Sequence, residues 1–104
     1  SHSGTADDDR QYLIYRDNLA LVDRSGVEVY NGAGRRTLSD DPTFSDPRAA
    51  ASAQYMLVYD LGGKTYALYN SLARIYTGKL DFPISGGAVS DSGMYAVVTG
   101  TREY

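Results

Sequence analysis

Apolar residues along this chain fall into short runs rich in Val, Leu, Ile and Tyr, each bounded by Gly, Asn, Asp or Pro, and no stretch sustains helical spacing. In GVEVYNG, residues 26–32, apolar and polar positions alternate, as in a strand with one covered face. In YMLVYDL, residues 55–61, they are apolar almost throughout, which fits a strand covered on both faces. Read this way, the chain predicts strands at 11–17, 18–24, 26–32 and 35–40, then at 48–53, 55–61, 64–71 and 73–80, then at 86–91 and 94–100. The expected fold is all-β. One alternative stays open, because DPRAAASAQYM at 46–56 passes for a helix on alanine propensity alone.

The runs repeat. Asp23 and Gly26 match Asp60 and Gly63 at a spacing of 37 residues, and Tyr30-Asn31 match Tyr69-Asn70 at 39, so the second copy is two residues longer inside its hairpin. A partial third copy follows, with MYAVVTG at 94–100 lying 38 or 39 residues beyond YMLVYDL and Ser90 answering Ser52. A period of about 40 residues with four short strands per unit is the signature of a β-propeller blade. The expected organisation is a lead-in at 1–10, a first blade at 11–40, a second at 48–80 and a partial third at 86–104. Closed propellers have typically 4 to 8 blades. The chain therefore reads as a truncated fragment of a longer propeller, whose open strand edge invites self-association by strand addition or face packing.

Turn chemistry agrees with this division. Gly26, Gly62-Gly63 and Gly93 fall between predicted strands, where a tight hairpin often needs a positive φ. The segments DDPTFSDPR and DFPIS hold all three prolines and read as connections between units. SHSGTADDDR at 1–10 is polar and without periodicity, and reads as a disordered lead-in or a stretch foreign to the native chain.

Composition narrows the function classes. Ten tyrosines without tryptophan and eleven glycines suit strands and tight turns. A net charge of -3 argues against a nucleic-acid surface, which needs a local excess of Lys and Arg. The absence of cysteine removes disulfides, thiolate metal sites and a cysteine nucleophile. No apolar run approaches the roughly 18 residues of a membrane span.

Candidate chemistry is sparse. GGKT at 62–65 has the tail of a phosphate-binding loop, but Val58 stands where the leading glycine belongs and a strand pattern follows. Asp7–Asp9, and Asp40-Asp41 with Asp46, lack the alternate ligand spacing and closing Glu of a calcium loop. The only histidine is His2, in the lead-in, which leaves no histidine base for a nucleophile. No catalytic, cofactor or metal residue is expected. Tyrosines remain: Tyr55, Tyr59, Tyr66 and Tyr69 are the candidate binding surface for a peptide or glycan, set against the reading that such rings pack between blades.

Three motifs carry a family resemblance: the hairpin of Val22, Asp23, Ser25, Gly26, Val27, Val29 and Tyr30; that of Asp60, Gly62, Gly63, Thr65, Tyr66 and Asn70; and Val89–Asp91 with Gly93 and Ala96–Val98. Over about 90 residues the chain resembles an uncharacterised bacterial family, domain of unknown function family 5711. The resemblance implies an N-terminal membrane anchor followed by an extracytoplasmic propeller-like domain, and it supplies no catalytic residues. The favoured function is a non-enzymatic binding or scaffolding segment of a cell-surface protein. The alternative is a fragment of an extracytoplasmic propeller enzyme, such as a carbohydrate-active hydrolase, with its acids in further blades.

Overall fold

The structure, a computed structural model, describes residues 10–99. The expected lead-in at 1–9, His2, Asp7–Asp9 and the final residues 100–104 of the third unit lie outside the described residues. Ten strands run in order: β1 (Gln11–Tyr15), β2 (Asn18–Asp23), β3 (Gly26–Tyr30), β4 (Arg36–Asp40), β5 (Pro47–Ala51), β6 (Met56–Asp60), β7 (Thr65–Tyr69), β8 (Arg74–Lys79), β9 (Ile84–Val89) and β10 (Tyr95–Thr99). They form two four-stranded antiparallel meanders, β1–β4 and β5–β8, and a two-stranded sheet, β9–β10. No helix occurs among the described residues, and the alanine-rich stretch supplies β5 and the turn after it. Pro47 corrects the sequence reading: it opens β5 and is buried rather than lying in a connection. At the first position of an edge strand, proline removes no ladder hydrogen bond.

Cross-strand register sorts the side chains of each sheet onto two faces. In the first sheet, Leu13, Ala20, Val29 and Leu38 lie in one row, beside Val22 and Val27, and face the second sheet. The second sheet answers with Ala49, Ala51, Met56, Val58, Ala67 and Tyr69. Its opposite face presents Leu57, Tyr59, Tyr66 and Leu68 to Ile84, Val89 and Val97 of the third sheet. Met56, Leu57 and Val58 are consecutive and fully buried, pointing alternately into the two layers. That is why YMLVYDL shows no alternation.

Repetition extends to the turns. Asn31 and Asn70 hold equivalent places after β3 and β7. The Asn31 carboxamide oxygen accepts the N–H groups of Ala33 and Arg35, and that of Asn70 accepts those of Leu72 and Ala73. Ser52 and Ser90 close the turns after β5 and β9, their hydroxyls accepting from Tyr55 and Met94. A bulge falls at Val29/Tyr30 in the first sheet and at Leu68/Tyr69 in the second. Gly26, Gly62 and Gly93 all have positive φ, at 139°, 80° and 90°. At Gly26 the requirement is twofold, because a Cβ would also sit 2.5 Å from the Asp40 carbonyl oxygen.

Polar ties fix one sheet on the next. The Gln11 carboxamide lies along the free edge of β5, donating to the Pro47 carbonyl at 2.7 Å and accepting from the Ala49 N–H at 3.0 Å. It thereby satisfies backbone groups that β6 does not reach. At the outer strands the Asp40 carboxylate accepts from the Tyr69 hydroxyl at 2.6 Å and from Arg74 Nε at 2.8 Å. The second joint is built differently. Leu61 forms a parallel bridge to Ile84, the Ile84 N–H donates to the Gly63 carbonyl at 2.7 Å, and the rings of Tyr66, Tyr76 and Tyr95 cluster. Gly78 makes room there: a Cβ at that position would lie 2.3 Å from the Tyr66 ring.

Two phenols at the first joint give stability a pH dependence. Burial pushes the Tyr15 hydroxyl from its ordinary value of 10.0 up to about 12. Burial, and then the Asp40 carboxylate, raises Tyr69 as well. The folded state therefore prefers both phenols neutral, and the stabilisation is complete below the unfolded value near 10 and lost as pH climbs through the folded values. Urea midpoints should hold steady to pH 10 and then fall. The expected slope is at most about 1.4 kcal/mol per pH unit for each tyrosine. Burial raises the Tyr66 hydroxyl at the second joint in the same direction, so Tyr15→Phe should lower the total slope by about a third, and a slope unchanged by the substitution would remove Tyr15 from the account.

Candidate functional site

The candidate tyrosines do not share a surface. Tyr69 is fully buried against the first sheet, while Tyr66 and Tyr59 face the third. Tyr55 packs beside them with its ring next to Gly93. Strand alternation explains the division, since neighbouring positions on a strand point to opposite faces. Three of the four are packing between sheets, and only Tyr55 borders an open hollow.

The acidic and glycine-rich stretches are likewise absorbed by the fold. Asp40 holds Tyr69 and Arg74, Asp41 accepts the Thr43 N–H, and Asp46 pairs with Arg48. GGKT is the β6–β7 turn, with Gly62 and Gly63 joined to Ile84 and a strand following. Among the described residues no group of three His, Cys, Asp or Glu side chains is placed to hold a metal ion. A small hollow between Arg10, Asp23 and Asp40 offers little chemistry, because its charged groups are already engaged with one another or with neighbours. Asp23 illustrates the point: bonds from Ser25, against a smaller cost of burial and with help from Arg10, hold its carboxyl below the usual range.

One region differs. At the end of the stack that carries the β1–β2 turn, two hollows meet around Arg16, Asn18 and Ser71. One, of about 580 Å³, is completed by Asp17, Asn31, Gly32 and Ala33; the other, of about 260 Å³, by Gln54, Tyr55, Asn70 and Leu72. The larger falls within the roughly 300–1,000 Å³ of small-molecule clefts. The floor is tied to the first sheet: the Thr37 hydroxyl donates to the Ser71 carbonyl at 2.8 Å and the Asn70 carbonyl accepts from the Tyr15 hydroxyl at 3.4 Å. The Arg16 guanidinium makes no hydrogen bond or ion pair among the described residues. Asn18 and Gln54 likewise leave their carboxamides uncommitted there.

Arg16 is also held in an unusual backbone state, with φ of 56° in a two-residue hairpin turn. Only the first central residue has positive φ, a pattern in which glycine is preferred. A non-glycine residue in the left-handed region costs about 1–2 kcal/mol. Sequence reasoning missed this site because no glycine marked the turn and its amides lie on four separate turns. The one available signal was that the predicted strands at 11–17 and 18–24 abut, so a hairpin turn had to be cut from their junction; the structure takes Arg16 and Asp17 out of the first strand to make it.

A family model matches residues 1–103, and its description is a family of unknown function, DUF5711. The chain belongs to that family. No curated protein and no solved structure matches it.

The turn geometry yields a direct expectation. Arg16→Gly should leave the fold unchanged and raise stability by up to about 1 kcal/mol, as relief of the left-handed penalty outweighs the added unfolded-state freedom of glycine. A thermal melt shows it as a higher midpoint. A clear loss of stability would show that the Arg16 side chain helps hold the fold.

Proposed function

We propose that this chain is a non-enzymatic binding and scaffolding segment with a propeller-like frame, and that it takes an acidic glycan in the cleft around Arg16. Two repeated four-stranded meanders support the frame, as does the way β5 lies beside β1 and β9 beside β5, so that the first strands of successive sheets run together. An extracytoplasmic, membrane-anchored setting rests on the family resemblance alone.

Arg16 carries the ligand assignment. An exposed arginine kept in a backbone conformation that glycine would fill at lower cost, with no partner among the described residues, is an unspent anion-binding group. Around it the carboxamides of Asn18 and Gln54 each offer a donor and an acceptor, the pair that vicinal hydroxyls require. Leu72 adds an exposed apolar contact for a sugar face. An uronate residue combines these demands: a carboxylate for Arg16 and ring hydroxyls for the amides.

The test is an NMR titration of the full chain with galacturonate oligosaccharides. Amide shifts should move at residues 16–18, 31–33 and 70–72, with neutral galactose oligosaccharides binding more weakly, and Arg16→Gly should lower affinity at least tenfold, the loss of one charge-assisted hydrogen-bonding group at about 1.4 kcal/mol or more. No shifts at millimolar oligosaccharide, or equal binding by the Arg16→Gly protein, would overturn the assignment. So would preference for a glutamate-rich peptide over the uronate chain.

A further inference from the structure

Repeat spacing allows the exposed face of the first sheet to be compared, position by position, with the buried face of the second. Register places Tyr12, Leu21 and Glu28 in one row of that exposed face, and Ile14, Leu19 and Tyr30 in the next. Equivalent rows in the second sheet are Ala49, Val58, Ala67 and Ala51, Met56, Tyr69, which pack on the first sheet. The exposed face is thus the same kind of surface, with larger side chains at its inner strand. Ile14 is 77% exposed and Tyr12 64%.

The outer face of the third sheet shows the opposite bias. Its rows are Ala88 with Ala96 and Gly86 with Val98, in the places that Leu13, Ala20 and Val22 occupy on the first sheet. Gly86, Ala88 and Ala96 are small, Val98 is the one larger residue of these rows, and a shallow apolar hollow of about 320 Å³ opens among Ala88, Met94 and Ala96. Where the first joint sets Leu13 against Ala49 and Ala51, the two outer faces set Ile14 and Tyr12 against Ala88 and Gly86. Bulk missing on one side is present on the other, the condition for filling a joint without voids.

We infer that the outer face of the first sheet in one molecule packs on the outer face of the third sheet in a second copy, with Ile14 and Leu19 entering the hollow at Ala88 and Ala96. This interface continues the internal stack head to tail. It rests on the repeated-sheet frame and is independent of the glycan assignment. The contact is heterologous, so it propagates to chains or closes into a ring. It also differs from strand addition at the free edge of β10, which would use backbone groups and leave Ile14 untouched.

Sedimentation of the intact chain tests this. The weight-average mass should rise from the monomer value of 11.3 kDa to at least twice that between about 10 µM and 1 mM. Ile14→Glu and Ala96→Glu replace exposed residues, and circular dichroism should show both folded as the parent. Each alone should remain monomeric at 1 mM, since each lacks one half of the joint. An equimolar mixture should form a 1:1 complex and stop there, because the Ala96→Glu protein keeps its first-sheet face and the Ile14→Glu protein its third-sheet face. A monomeric parent at 1 mM, association retained by Ile14→Glu as edge pairing predicts, or a mixture that stays monomeric would each overturn the inference. Loss of uronate binding by Arg16→Gly bears only on the cleft.

Discussion

Everything in this molecule depends on the middle sheet being apolar on both faces. A single strand, β6, sends Met56 and Val58 into one layer and Leu57 into the other, and β7 does the same with Ala67 and Tyr69 against Tyr66 and Leu68. Full burial of a side chain of this size contributes about 1.5–3 kcal/mol. Neither layer exists without a covering sheet. The second sheet is stable only as the middle of a stack, and its neighbours are held in place by its need for cover.

The two joints meet that need by different chemistry. At the first, aliphatic side chains interlock and Asp40 gathers Tyr69 and Arg74 at the outer strands, so a buried hydroxyl and a half-buried cation share one carboxylate. At the second, the position corresponding to Asp40 is Gly78, and the space is taken by the Tyr66 ring, which meets the Tyr76 ring at a tilt and hydrogen-bonds Tyr95. The first joint is charged at its rim and the second aromatic. Tyr30 and Arg36, on the exposed face of the first sheet, correspond to Tyr69 and Arg74, and here both engage Glu28 of their own sheet. The face keeps the polar fittings of a buried joint with an internal carboxylate in place of a neighbour's.

Much of this frame was legible. Ten strands follow from ten bounded apolar runs, and equivalent turn residues (Asn31 and Asn70, Ser52 and Ser90) mark the repeat in the sequence itself. Unbroken apolarity in 55–61 gave the double coverage of β6. What was not legible depended on neighbours distant in sequence. Pro47 became a strand residue because it sits at a sheet edge, where its missing N–H costs nothing. For Tyr55, Tyr59, Tyr66 and Tyr69 the sequence leaves a shared surface and packing between units both open, and which layer each ring enters follows only from register: strand alternation sends Tyr66 and Tyr69 into different layers. The cleft around Arg16 draws on four turns spread from residue 16 to residue 72, and no linear motif records such a meeting.

Hydrogen exchange of individual backbone amides tests the central role of the middle sheet most directly. If two covered faces hold the stack together, the amides of β6 and β7 exchange most slowly, with a common opening free energy equal to that of global unfolding. Those of β1 and β10 should open at lower cost. Slowest exchange in β2 and β3, with β6 and β7 opening separately at a fraction of the global value, would contradict the account.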